Sequence, residues 1–92
     1  DLMLLGMGKD GHIASIFPNS KELKNKFVVK PVIRNDFIRM TLGLNVINDS
    51  NKILLWLPSK RISEIYKNIS RKGILIPVNA LNKKKLVCFK IT

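Results

Sequence analysis

The chain has 92 residues, 46% hydrophobic and 25% charged, and its 17 Lys and Arg against six Asp and Glu leave a net charge of +11. That apolar content excludes a disordered polar tail, yet a chain this short hides only about 60–65% of its unfolded surface and is marginal as an isolated globule. Cys88 is the single cysteine, so no disulfide framework is available, and the longest apolar run, Ile53 to Leu57, falls far short of the roughly 20 residues of a membrane span.

In chain order, Leu2 to Leu5 is a continuous apolar run ending at glycine, the pattern of a strand buried on both faces. Gly6-Met7-Gly8-Lys9-Asp10-Gly11 reads as a turn, and Asp10 suits the N-cap of a short helix from Gly11 to about Phe17, stopped by Pro18-Asn19. Residues 19–35 are polar, basic and broken by Pro31, an excursion over the surface. Phe37 to Leu42 alternates as a strand, with Phe37, Arg39 and Thr41 on one face, and Asn45 to Asp49 suits one helical turn. Lys52 to Leu57 is the second strongly apolar strand. After Pro58-Ser59, Ile62, Ile65, Tyr66 and Ile69 fall at helical spacing in one apolar stripe, with Gly73 as the closing C′ residue. Leu86 to Ile91 reads as a last strand, with Cys88 a buried thiol within it.

This alternation predicts an α/β layer architecture with a mainly parallel sheet, the strands near 2–5, 37–42 and 52–57 lying together. Two good helices cannot cover both faces of such a sheet, so a large apolar face is expected to stay open. An opening at Asp1 in mid-strand, with neither Met nor a signal peptide, reads as a fragment of a single domain spanning 1–92 of this numbering. One thiol and no signal point to the cytoplasm. The positive charge permits polyanion binding, but thirteen lysines, nine asparagines and twelve isoleucines look like a chain-wide usage bias. Phe17, Phe27, Phe37, Trp56, Tyr66 and Phe89 mostly sit within apolar patterns that read as core, so nucleic acid is disfavoured as a partner, as a membrane is by the short apolar runs.

The chemistry concentrates at Gly6 to Pro18. A glycine loop at the carboxyl end of a buried strand lets backbone approach a ligand, and free N–H groups there favour an oxyanion or phosphate. His12, the only histidine, would fall in the first helical turn, where the neutral imidazole is favoured and can serve as a general base. Asp10 could cap the helix, orient the imidazole, or do both. Gly6, Gly8 and Gly11 form G-x-G-x-x-G, but no acidic residue ends a following strand at the distance a dinucleotide site needs. No Cys/His/carboxylate cluster suggests a metal, and no cofactor is implied.

Asp1-Leu2-Met3-Leu4-Leu5-Gly6-Met7-Gly8-Lys9-Asp10-Gly11-His12, followed by Ala14-Ser15-Ile16-Phe17-Pro18, closely resembles the signature of 6-phosphogluconolactonases. Arg39-Met40-Thr41-Leu42 with Val46-Ile47-Asn48, the strand Lys52 to Leu57, and Leu75-Ile76-Pro77-Val78-Asn79 resemble later segments of that family, in the same order. The resemblance implies the C-terminal part of a Rossmann-like layered domain. It also implies hydrolysis of 6-phospho-D-glucono-1,5-lactone to 6-phosphogluconate in the oxidative branch of the pentose phosphate pathway. In that reading His12 and Asp10 are catalytic. Gly6, Gly8 and Gly11 line the substrate, with N–H groups from Gly8 to Gly11 facing the oxyanion, and Arg39 holds the phosphate.

The chain departs from the family pattern in several places. Ile13 stands where Thr is usual, and the Gly-x-x-Lys turn is replaced by Leu57-Pro58-Ser59-Lys60-Arg61-Ile62, so either Lys60 or Arg61 serves as the phosphate lysine through a small shift in register or that contact is lost. Two alternatives stand beside the lactonase: a related glucosamine-6-phosphate deaminase/isomerase, and a catalytically incompetent basic fragment that binds polyanions. Fusion or association with glucose-6-phosphate dehydrogenase occurs in the family and is a further expectation.

Overall fold

The computed structural model describes residues 1–35, 37–73 and 75–90. In chain order these form β1 (Leu2–Gly6), β2 (Val29–Arg34), β3 (Phe37–Leu42), α1 (Leu44–Asp49), β4 (Lys52–Leu57), α2 (Lys60–Ile69) and β5 (Leu86–Lys90), with 3-10 turns at Lys21–Leu23 and Pro77–Ala80. Ile91, the expected end of the last strand, lies outside the described residues.

β4 is the centre of a three-stranded sheet of order β1-β4-β5, parallel throughout. Its alternation is strict: Ile53, Leu55 and Leu57 are buried on one face. They meet Leu5, Met7, Ile13, Ile16, Leu23, Ile47, Val78 and Leu81 in one core. α2 lies over this face, and the predicted stripe of Ile62, Ile65, Tyr66 and Ile69 packs against the core. Ser59 starts the helix by accepting the Ile62 N–H at 3.1 Å, a cap contributing about 1 kcal/mol. The other end closes at Ser70, so Gly73 (φ +99) is not the C′ residue but lies beyond it, in the return to the second 3-10 turn. Asn79 secures that return by donating from Nδ2 to the carbonyls of Ile69 (2.7 Å) and Gly73 (2.9 Å).

The opposite face of the sheet is open. Leu2 and Leu4 on β1 are 62% and 70% exposed, and Trp56 on β4 and Val87 and Phe89 on β5 stand on the same face. Leu4, Leu5, Gly6, Trp56 and Phe89 line a shallow groove of about 400 Å³ there. The apolar open face anticipated from the helix count is thus present, while β1 is covered on one side only. For the same reason Trp56 and Phe89 are not core residues. Cys88 is exposed as well, because β5 is the edge strand. Its thiol and partial burial together push the Tyr66 phenol up to about 12, burial being the larger cause.

β3 does not join this sheet. It pairs with β2 in an antiparallel hairpin, Arg34 opposite Phe37 and Val32 opposite Arg39. The expected excursion over residues 19–35 therefore contains a strand. Pro31 disguises it, but a two-stranded ribbon has only edges, and an edge tolerates the missing N–H. Two bonds close the base of the hairpin onto α1: Gly43 N–H to the Val28 carbonyl (3.0 Å) and Phe27 N–H to Asn45 Oδ1 (3.1 Å). Among the described residues no helix is long and apolar enough to cross a membrane.

Candidate active site

The glycine loop leaves β1 at the carboxyl edge of the sheet and turns sharply. Gly11 N–H donates to the Gly8 carbonyl (3.0 Å), and Gly8 N–H donates to the His12 carbonyl (2.9 Å). Both N–H groups are thus spent inside the turn, so neither is available as the oxyanion donor expected of them. Gly11 has φ +86, a left-handed conformation that glycine adopts freely, and a β-carbon there would also overlap Ile76 Cγ2. Gly8 is needed for a different reason: a β-carbon on it would overlap Cε1 and Nδ1 of the His12 ring. The imidazole occupies the space beside Gly8 that a side chain would fill. Gly6 has open space where its β-carbon would be and borders the open sheet face rather than His12.

The expected helix from Gly11 to Phe17 does not form. A helix would send the Ser15 N–H to the Gly11 carbonyl. Here Ser15 N–H donates instead to Thr41 Oγ1 on β3 (3.1 Å), and the Gly11 carbonyl accepts from Val78 N–H (3.0 Å). Ile13 and Ile16 form an isolated bridge around Ala14 at φ +50, and both isoleucine side chains are fully buried. Tertiary partners have outbid local helix formation. His12 therefore has no helix terminus beside it, and its environment is set by Asp10.

Asp10 Oδ1 accepts twice from His12, from the backbone N–H at 3.0 Å and from Nδ1 at 2.6 Å. Partial burial pulls the Asp10 carboxyl upward, but the His12 N–H and imidazole outweigh it and hold the group below its ordinary value of 3.8. The bond's contribution to stability is accordingly present above that value and is lost as pH falls through the lowered one. An ionised carboxylate only accepts, so the neutral imidazole carries its proton on Nδ1 and leaves the Nε2 lone pair unprotonated. The His12 side chain is 27% exposed, enough to meet a solute.

The hairpin brings cations to this ring. Phe17 lies 4.6 Å from His12, centroid to centroid, and 6.2 Å from Phe37. The Arg39 guanidinium sits 4.0 Å over Phe37, and the Arg34 guanidinium sits 3.9 Å over Phe17. Thr41 holds this arrangement in place through its bond to Ser15. Arg34 escaped notice because its segment read as a surface excursion; its position opposite Phe37 is visible only once the hairpin register is known. Lys60 and Arg61 are exposed at the start of α2, which follows β4 at the same carboxyl edge of the sheet. Among the described residues neither forms a hydrogen bond or ion pair with the loop.

Replacing Gly8 with Ala is expected to displace the imidazole from its seat and break the Nδ1–Asp10 contact. A crystal structure of Gly8→Ala, or loss of the His12–Asp10 coupling by NMR, checks this. An unmoved ring would show that the loop yields instead.

The profile of the family described as glucosamine-6-phosphate isomerases/6-phosphogluconolactonase matches residues 1–89. Probable 6-phosphogluconolactonase 5 of Arabidopsis thaliana is 40% identical over 80 residues, covering 74% of this chain and 30% of that protein. The human GDH/6PGL endoplasmic bifunctional protein is 37% identical over 76 residues, 79% of this chain and 10% of its own. In structure, a 6-phosphogluconolactonase from Shewanella baltica superimposes with a TM-score of 0.81 at 28% identity, over 98% of this chain and 43% of that one. The chain thus spans less than a third of these two curated relatives and under half of the solved structure. With a matching profile over nearly its whole length, the chain belongs to the glucosamine-6-phosphate isomerase/6-phosphogluconolactonase family.

Proposed function

We propose that the protein carrying this chain hydrolyses 6-phospho-D-glucono-1,5-lactone to 6-phosphogluconate. The observation that carries this reading is the Asp10–His12 pair, 2.6 Å apart, with Nε2 turned away from its carboxylate partner. The matched segments of relatives named as lactonases support it over the deaminase branch of the family.

In this mechanism His12 Nε2 takes a proton from a water molecule as the water oxygen attacks the lactone carbonyl carbon. The tetrahedral intermediate collapses with cleavage of the bond from C1 to the ring oxygen. His12 returns the proton to that oxygen, leaving the open-chain acid. Asp10 holds the imidazole in the needed tautomer and stabilises the imidazolium that forms transiently. Arg39, planar and permanently charged, suits the phosphate as a forked donor. Lys60 and Arg61 are placed by topology at the same sheet edge and are proposed as outer cations for the phosphate, with Gly6, Gly8 and Gly11 shaping the loop that faces the substrate.

A lactone of this kind arises by oxidation of the C1 hemiacetal of a hexose 6-phosphate. A dehydrogenase of glucose 6-phosphate is therefore the proposed source, in fusion or as a separate enzyme; the bifunctional relatives support that pairing. The lone exposed thiol of Cys88 suits a reducing compartment such as the cytoplasm.

His12→Asn in the full-length protein should lower kcat by about 10²–10⁴-fold with KM little changed, after subtraction of spontaneous hydrolysis. A general base acts unprotonated, so the acid limb of the wild-type kcat/KM profile should be absent from His12→Asn, while Asp10 is held below 3.8. Near-wild-type turnover by His12→Asn with an unchanged pH profile would remove the general base from the mechanism.

Arg39→Ala should raise KM for the phosphorylated lactone by the equivalent of about 1.5–3 kcal/mol. Unphosphorylated gluconolactone should be nearly indifferent to the change. Equal losses on both substrates would return Arg39 to a structural role.

A further inference from the structure

Arg34 has no role in the reading above, yet its guanidinium sits 3.9 Å over the ring of Phe17, which is itself 4.6 Å from His12. It belongs to β2, at the register position opposite Phe37, and the alternation of the ribbon puts Arg34, Phe37 and Arg39 on one face. That same face carries Val32 and Thr41, both buried against the body of the domain. Two guanidinium groups are therefore stacked on two neighbouring rings, Arg34 on Phe17 and Arg39 on Phe37, with the rings 6.2 Å apart.

Stacking on an aromatic face uses the flat side of a guanidinium and leaves the in-plane N–H groups directed outward. It also restrains a long side chain before any ligand arrives, which lowers the entropy lost on binding. Among the described residues no carboxylate pairs with either arginine, whereas Asp10 is engaged by His12. A surface arginine merely covering an apolar ring would gain nothing from a second stacked arginine beside it. Two restrained forks, one of them over the ring that adjoins His12, make a ready site for a dianion.

We infer that Arg34 is a second arm of the substrate site, holding the phosphate monoester together with Arg39 and selecting phosphorylated over uncharged lactones. This rests on the lactonase reading for its substrate, but the arm itself is a claim about anion binding and can be tested apart from turnover. The Phe17 ring is then a shared platform: one neighbour is the catalytic imidazole and another is the arginine that fixes the substrate's far end.

The test uses the full-length protein and its Arg34→Ala and Arg34→Lys variants, with 6-phosphogluconate and gluconate titrated by calorimetry and both lactones assayed for turnover. Arg34→Ala should weaken 6-phosphogluconate binding and raise KM for the phosphorylated lactone by about 10-fold or more, with kcat within about twofold. Arg34→Lys should recover part of the loss, because it restores the charge without the planar fork. Values for unphosphorylated gluconolactone should not move. If Arg34→Ala binds 6-phosphogluconate as tightly as wild type, or loses both substrates equally, Arg34 only covers Phe17 and the inference falls. Should the wild type bind 6-phosphogluconate in an Arg34-dependent way yet hydrolyse no lactone, the arm stands and the assigned reaction fails. Absence of any 6-phosphogluconate binding would overturn both.

Discussion

Position 8 has room for an imidazole because it lacks a side chain. His12 rests where a β-carbon of residue 8 would be, and from that seat its Nδ1 reaches Asp10 at 2.6 Å. The general-base role proposed for His12 depends on that close approach. It fixes which ring nitrogen faces the carboxylate and leaves the other available to a solute. The turn that produces it is held by its own backbone bonds, Gly8 to His12 and Gly11 to Gly8, and is pinned from outside by Val78 on the Gly11 carbonyl. A loop that satisfies its donors internally is rigid, but it has none of those two N–H groups left for an oxyanion.

β1, β4 and α2 were legible in the sequence because each carries one strong apolar pattern, whereas the membership of β3 in their sheet was misread. Ile53–Leu57 is an unbroken apolar run of strand length, and Ile62, Ile65, Tyr66 and Ile69 keep helical spacing; both elements occur where those patterns lie. The glycine motif likewise announced His12 and Asp10 through residue type and neighbourhood. What was not legible is what long-range partners decide. Residues 11–17 follow a capping aspartate, Asp10, yet the Ser15 N–H is captured by Thr41, 26 positions away. No window centred on the loop contains that competitor. β2 was hidden by Pro31 and by its basic composition, and with it went the register that sets Arg34 opposite Phe37. The aromatic residues show the same limit: composition marks Trp56 and Phe89 as core, while their strand faces turn them to the open side.

That open side and the hairpin give the chain two distinct surfaces. The sheet face bearing Leu2, Leu4, Trp56, Val87 and Phe89 is apolar, whereas the face of the hairpin turned toward His12 carries stacked cations. The net charge of +11 is therefore not a uniform coat. Even within the Lys83–Lys85 run, Lys85 is tied down through Nζ to the Asn48 carbonyl at 2.9 Å. Charge near the loop is arranged by aromatic stacking, and charge elsewhere follows the chain's general abundance of lysine.

The central claim is that Asp10 fixes the tautomer of His12, and the ring nitrogens report on it directly. Long-range ¹H–¹⁵N correlation spectra of the imidazole, recorded with the ring neutral, distinguish a protonated from an unprotonated nitrogen. The account predicts the proton on Nδ1, bonded to Asp10, with Nε2 unprotonated, and loss of that preference in Asp10→Asn. A neutral ring carrying its proton on Nε2 in the wild type would contradict it.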